Sequence, residues 1–93
     1  MEVKQTENEK RGKFYIELDG VEIAKMEYVY AGADKYIIEH TEVNTAYEGK
    51  GIGKQLVSAG VDFARTKQIK IMPLCPYAKA VFSKVDSYKD VLF

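Results

Sequence analysis

Residues 48–54 read EGKGIGK, a segment in which glycine stands at every second position. Alternating glycines let the backbone turn successive N–H groups to one side and allow a ligand to approach closely. A helical pattern follows at once, and the first turn of a helix adds unpaired N–H groups and a positive partial charge. This combination favours the binding of a phosphate group, with Lys50 and Lys54 supplying charge at the rim.

The spacing of these glycines excludes two common phosphate-binding loops. A Walker A loop needs glycine where the chain has Glu48, and Ser or Thr where it has Gln55. The dinucleotide fingerprint G-x-G-x-x-G fails from Gly49, because position 54 is lysine, and from Gly51, because position 56 is leucine. The remaining alternative is a glycine turn that only reverses the chain.

Upstream of the glycine segment, runs of β-branched and aromatic residues predict strands at 13–18, 21–30 and 35–43. The dipeptide Asp19-Gly20 between the first two is a strong signal for a two-residue hairpin turn. Strict alternation along the third run puts Tyr36, Ile38, His40 and Glu42 on one face and Ile37, Glu39, Thr41 and Val43 on the other.

Downstream, apolar residues spaced by three and four predict an amphipathic helix over 51–67. A short strand over 69–74 follows, and then a second helix from Pro76 to about Val85, because proline suits the first helical position. The resulting order β-β-β-α-β-α predicts an α+β fold with a mostly antiparallel sheet. The third and fourth strands, joined through a helix, should be parallel with a right-handed crossover.

Length and charge restrict the class of protein. Ninety-three residues predict a single domain spanning 1–93, in which the polar residues 1–11 form a frayed lead-in and the tail 86–93 is ambiguous. Fourteen basic and fourteen acidic residues balance, which argues against nucleic acid as a partner. No run approaches the roughly 18 apolar residues of a membrane span. The single cysteine, Cys75, favours a reducing, cytoplasmic location.

The loop and two flanking motifs resemble the GCN5-related N-acetyltransferases. Residues 48–53 are similar to the acetyl-CoA loop of that superfamily, Q/R-x-x-G-x-G/A, although Glu48 replaces the usual Gln or Arg. Glu39-His40-Thr41 and the stretch 73–77, PLCPY, occur in the same order as in its small single-domain YjdJ-like members. The resemblance covers residues 13–90. It implies a compact GNAT-type fold and acetyl transfer from acetyl-CoA to a primary amine, on a protein lysine, an N-terminus or a small molecule.

The resemblance also implies which residues bind acetyl-CoA. The strand end is expected to hold the pantetheine arm through Thr41, Glu42, Val43 and Asn44, with the Val43 N–H polarising the thioester carbonyl. The pyrophosphate is expected to be wrapped by Glu48, Gly49, Lys50, Gly51, Ile52, Gly53 and Lys54. Larger members carry two helices where this chain has only Asp19-Gly20, so the acceptor site should be open.

Three side chains are candidates for the chemistry. His40 is the only histidine, and an imidazole is the side chain best suited to act as a general base near neutral pH, although a half-exposed strand histidine is the alternative. Cys75 precedes Pro76 and is predicted to lie at or just before the start of the second helix. It is either an acyl-accepting nucleophile, an acid for the leaving thiolate, or a small buried residue. Tyr77 is a further candidate acid by resemblance, with aromatic packing as its alternative.

Two other functions stay open at this point. A non-catalytic module that binds CoA or a nucleotide would keep the glycine loop and make His40 and Cys75 incidental. A small interaction domain would instead use an exposed sheet edge. We expect acetyl-CoA and an amine acceptor as partners, no metal and no membrane, and a monomer or weak homodimer.

Overall fold

The structure, a computed structural model, describes all residues from 1 to 93. The chain forms five strands, two α-helices and two 3-10 helices. The strands are β1 (Lys4–Glu7), β2 (Arg11–Leu18), β3 (Val21–Tyr30), β4 (Lys35–Val43) and β5 (Lys70–Pro73). The helices are α1 (Ile52–Lys67) and α2 (Pro76–Lys84), and the 3-10 helices span Thr45–Tyr47 and Asp86–Val91.

The strands form one sheet in the order of the sequence. β1 to β4 run antiparallel to their neighbours, and β4 pairs with β5 in parallel. α1 is the crossover between these two strands. Both α-helices begin and end within one residue of the predicted positions. The predicted α+β class, with a mostly antiparallel sheet and one parallel β-α-β unit, is therefore confirmed.

The expectation that residues 1–11 are frayed was wrong for Lys4–Glu7, which form β1. All four side chains of β1 are exposed, so its sequence lacks the alternation of apolar and polar residues that predicts a strand. Its order comes from backbone pairing with β2 and from Glu7, whose carboxylate accepts hydrogen bonds from the Tyr28 and Tyr30 hydroxyls at 2.6 and 2.7 Å. The signal for a preceding strand is Asn8, which closes a turn by accepting two backbone N–H bonds.

A β-bulge at Glu39 changes which side chains of β4 share a face. Tyr28 opposes Ile38 and Glu27 opposes His40, so Glu39 is the extra residue of the bulge. After the bulge, Thr41 and Val43 join Ile38 on the face that α1 covers, and His40 and Glu42 turn to the other face. The prediction that His40 lies on the same face as Ile38 was therefore wrong, because strict alternation fails at a bulge.

The hydrophobic core lies on one side of the sheet. Nineteen buried apolar residues form a single cluster between the sheet, α1 and α2. The opposite face of the sheet is not covered by a helix, and its central side chains, such as Lys13, Lys25 and Glu27, are only half-buried. These side chains form ion pairs along the open face, for example Lys25 with Glu27 and with Glu42.

The tail, left ambiguous by its sequence, packs beside β5. After the 3-10 helix Asp86–Val91, Leu92 forms an isolated parallel bridge with Ile71, and the Phe93 N–H donates to the Ile71 carbonyl at 2.9 Å. Val91 is buried in the core. Neither α-helix has the length and apolar character needed to cross a membrane.

Candidate functional site

β4 and β5 separate after Ile38. Their parallel pairing covers Lys35–Ile38 and Lys70–Pro73, and then the amides of Leu74 and Cys75 both donate to the Ile38 carbonyl, at 3.0 and 3.2 Å. This turn carries the chain into α2 and away from β4. The remaining part of β4 therefore has a strand neighbour on one side only.

The free edge of β4 presents the main chain of Thr41 and Val43. The Asn44 N–H donates to the Ile23 carbonyl on β3 at 2.8 Å. Because paired residues alternate along an antiparallel ladder, Glu42 and His40 also face β3. The N–H and C=O groups of Thr41 and Val43 consequently point into the gap, where an extended ligand can pair with them.

A cavity of about 480 Å³ lies at this gap. Its walls are Thr41 and Val43 of β4, residues 47–54 with the exception of Lys50, and Tyr77 of α2. The structure thus brings together most of the residues that the sequence assigned to acetyl-CoA. Tyr47 also lines the cavity and was missed, because a lone aromatic residue in a 3-10 turn belongs to no pattern.

The glycine segment presents its amides unpaired. Gly49 and Gly51 have φ values of 77° and 76°, a left-handed conformation that favours glycine, and Gly51 is the N-cap of α1 without a side-chain cap. No backbone hydrogen bond is donated by any residue from Gly49 to Lys54. Six consecutive N–H groups are therefore available at the start of a 16-residue helix, where the helix dipole favours negative charge.

Tyr77 packs on the start of α1. A Cβ atom at Gly53 would lie 2.7 Å from both Cζ and the hydroxyl oxygen of the Tyr77 ring, so the ring needs glycine at that position. The Tyr77 side chain lines the cavity and remains 39% exposed. Burial raises the pKa of its hydroxyl, so the group is protonated at neutral pH and is able to donate a proton.

Cys75 lies behind the cavity wall. It is the N-cap of α2, with Pro76 at the first helical position, which confirms the predicted placement. The side chain belongs to the buried core at 5% exposure. Its Sγ accepts a hydrogen bond from the Ala78 N–H at 3.3 Å and lies 3.3 Å from Thr41 Oγ1.

His40 and the remaining candidates lie outside the main cavity. His40 is exposed on the open face of the sheet, opposite Glu27. Lys50 is exposed at the loop, and the Asn44 side chain caps the 3-10 turn by accepting from the Ala46 N–H at 2.9 Å. Glu42 and Asn44 border a second hollow of about 400 Å³, which adjoins the main cavity because Val43 lines both.

Sequence comparison identifies relatives over most of the chain. The family model described as GCN5-related N-acetyl-transferase matches residues 13–91. The chain is 33% identical to Protein NATD1 of Xenopus tropicalis over 76 residues, which is 81% of this chain and 70% of that protein. It is 38% identical to Protein NATD1 of Gallus gallus over 69 residues, which is 73% of this chain and 63% of that protein.

Solved structures share the fold. A GCN5-like protein from Staphylococcus aureus, solved by NMR, is 38% identical with a TM-score of 0.78, covering 99% of this chain and 87% of that one. The ribosomal-protein-S18-alanine N-acetyltransferase of Escherichia coli superposes with a TM-score of 0.70 at 16% identity, over 84% of this chain and 53% of that enzyme, which is a likeness of fold alone. On the family match, the sequence identity and the shared fold, this chain belongs to the GCN5-related N-acetyltransferase family.

Proposed function

We propose that this protein binds acetyl-CoA in the cavity between β4, the glycine segment and α2, and transfers the acetyl group to a primary amine. The observation that supports this most strongly is the run of six unpaired amides, Gly49 to Lys54, at the start of α1. Membership of an acetyltransferase family makes acetyl-CoA the natural anionic ligand for that run.

Acetyl-CoA is bound through three parts of the site in this proposal. The amides of residues 49–54 hold the pyrophosphate, as helix N-termini do for phosphate groups generally. Lys54 on the cavity wall and Lys50 at the exposed rim contribute positive charge. The free backbone edge of β4, at Thr41 and Val43, holds the pantetheine arm, whereas the Asn44 N–H and C=O are already paired with Ile23 and Tyr47. Glu48 supplies no amide to the phosphates, because its N–H donates to the Thr45 carbonyl at 3.4 Å, and its exposed side chain is free to point away from them.

The acetyl transfer uses groups on both sides of the gap. The amine nitrogen attacks the thioester carbonyl carbon, and the bond from that carbon to the CoA sulfur breaks. His40 takes the proton that the amine loses, and the Tyr77 hydroxyl gives its proton to the departing thiolate. The carbonyl oxygen is polarised by an amide of the free β4 edge. The sequence predicted the Val43 N–H for this role. The Thr41 N–H is a second candidate, because both amides face the gap.

The position of His40 determines how the acceptor approaches. His40 is on the open face of the sheet, whereas Tyr77 and the glycine segment are on the helix face. An acceptor amine must therefore approach from the open face and meet the thioester at the gap between β4 and β5. That face is not covered by a helix, so it accommodates a lysine side chain or an N-terminus on a protein as well as a small amine.

The buried Cys75 thiol restricts its role. An acyl-carrying nucleophile needs a sulfur that a thioester can reach, whereas Cys75 is 5% exposed and does not line the cavity. We therefore propose that Cys75 serves catalysis without bonding to the acetyl group. We also propose a cytoplasmic location, because the thiol is free and a reducing compartment keeps it so.

Replacing His40 by Gln separates catalysis from binding. We expect turnover with a small-amine acceptor to fall roughly 100-fold, because a general base contributes on that order. The dissociation constant of CoA, measured by titration calorimetry, should stay unchanged. Tyr15→Phe, on the same open face, is the matched control and should behave as wild type. Wild-type protein that shows no heat of binding with millimolar CoA would contradict the proposal, and binding without turnover would indicate the non-catalytic module.

A further inference from the structure

We infer that the Thr41 hydroxyl acts on the reacting sulfur of acetyl-CoA and that Cys75 is the residue that positions it. This inference rests on the proposed acetyl transfer and names two roles within the same site. The sequence suggested Thr41 only as part of the strand that holds the pantetheine arm, and Cys75 as a nucleophile or an acid.

The β-bulge gives Thr41 its position. Because Glu39 is the extra residue, the Thr41 side chain is on the helix face opposite Met26 and forms part of the cavity wall. Without the bulge it would point to the open face and away from the glycine segment. The bulge thus places one hydroxyl at the inner end of the cavity, beside the point where β4 and β5 separate.

When the Cys75 thiol is the donor to Thr41, the Thr41 hydrogen stays free. Cys75 Sγ accepts from the Ala78 N–H, and its remaining neighbour is Thr41 Oγ1 at 3.3 Å. A thiol carries one hydrogen, so an S–H that donates to Thr41 fills one lone pair of the hydroxyl oxygen. Thr41 has no other side-chain partner in the chain. Its own hydrogen is then directed into the cavity, toward the ligand.

The order of residues along β4 indicates which part of the ligand meets that hydrogen. The glycine segment follows Asn44 and its 3-10 turn, so an arm that extends from the pyrophosphate along β4 passes Val43 before Thr41. The thioester is at the far end of the arm, and it therefore lies beside Thr41. His40 is the neighbour of Thr41 along β4.

A hydroxyl beside the thioester sulfur favours the transition state over the bound substrate. A thioester sulfur is a weak acceptor, but it gains negative charge as its bond to the carbonyl carbon breaks. A fixed donor at that point is worth more to the transition state than to the ground state. Thr41 and Cys75 form no covalent bond in this scheme, and Tyr77 still supplies the proton to the thiolate.

A set of four variants tests the two roles. Thr41→Val removes the hydroxyl at nearly constant shape, and we expect kcat to fall roughly tenfold while KM for acetyl-CoA changes less than about twofold, as for loss of one transition-state hydrogen bond. Thr41→Ser should restore most of the rate. Cys75→Ala should lower kcat by only about threefold, because the hydroxyl remains and loses its orientation. The double variant Thr41→Val with Cys75→Ala should be no slower than Thr41→Val alone.

The outcomes separate this inference from the proposed function. Wild-type enzyme that neither binds nor consumes acetyl-CoA refutes the proposed function itself. An active wild type with an unaffected Thr41→Val variant refutes the inference alone. So does an acetyl group on Cys75 detected by mass spectrometry, or multiplicative losses in the double variant. If Thr41→Val does not fold, Thr41→Ala takes its place, with the same comparison to Thr41→Ser.

Discussion

The Tyr77 ring packs directly on Gly53, and the Cβ of any larger residue at position 53 would be 2.7 Å from the ring. This contact joins the second residue of α1 to the first turn of α2, and both residues line the cavity. The start of each helix therefore holds the other in place. A change at either residue is expected to alter the shape of the site without touching the core behind it.

Gly53→Ala should displace Tyr77 and weaken CoA binding. We expect the dissociation constant from titration calorimetry to rise roughly tenfold, and turnover to fall with it, since the added methyl group needs space that the ring occupies. Ser58→Ala, further along α1, is the control and should leave both quantities unchanged. An unaltered affinity in Gly53→Ala would mean that the ring moves freely and does not form the wall.

Lys54 and Lys50 provide a matched pair for the charge at the loop. Each loses one positive charge on substitution by Gln, but only Lys54 lines the cavity. Lys54→Gln should weaken CoA binding about fivefold at low ionic strength, and Lys50→Gln less than about twofold, because both side chains are exposed but only Lys54 is at the cavity, where its charge is closer to the bound phosphates. Raising the salt concentration should shrink the difference. Equal losses of CoA affinity in the two variants would indicate that the lysines act through the overall electrostatic field of the loop and that Lys54 makes no local contact with the ligand.

The fold itself is predicted to weaken at alkaline pH through Tyr30. Burial and the hydrogen bond to Glu7 raise the pKa of Tyr30 to about 12, from 10.0 in the unfolded chain. The native state keeps this proton when the unfolded chain has lost it, so the contribution to stability is complete below about pH 10 and declines toward pH 12. Urea unfolding from about pH 8 to 11 should show this decline, and Tyr30→Phe should reduce its slope.

Some slope should remain in Tyr30→Phe, because burial also raises the pKa values of Tyr28 and Tyr36. A slope identical to that of the wild type would show that Tyr30 titrates at the same pH in both states. The comparison is made at equal ionic strength, so that screening of the ion pairs on the open face is constant.

Glu7 is expected to hold β1 on the sheet. Its carboxylate accepts hydrogen bonds from two tyrosines of β3, so Glu7→Ala should lower the free energy of unfolding by about 2 kcal/mol. Glu9→Ala is the control, because Glu9 is exposed in the turn and takes part in no ion pair or side-chain hydrogen bond. Urea unfolding measures both variants. Similar values for the two would mean that backbone pairing alone keeps β1 in place.

Sequence patterns predicted the architecture because its determinants are local. The Asp19-Gly20 turn, the apolar spacing of α1 and the position of Pro76 each specify one element, and the order of elements then restricts the topology. The glycine segment was recognisable for the same reason. A strand before it and a helix after it are properties of neighbouring residues.

The two structural errors have a common physical origin, since both depend on contacts between distant residues. β1 is an edge strand whose exposed side chains show no pattern, and its order depends on Tyr28 and Tyr30. The bulge at Glu39 depends on how β4 pairs with β3, and it moves Thr41 and His40 to faces that alternation does not predict. The pairing of Thr41 with Cys75 joins residues 34 positions apart and was equally inaccessible.

The most direct measurement of the central claim is a titration of ¹⁵N-labelled protein with CoA, followed by amide NMR and compared with pantetheine, which has no pyrophosphate. We predict that CoA causes the largest amide shifts at Gly49 to Lys54, the N–H groups without a partner in the free protein, and that pantetheine leaves them nearly unchanged. CoA binding with these amides unaffected, or with its largest shifts elsewhere, would contradict the claim.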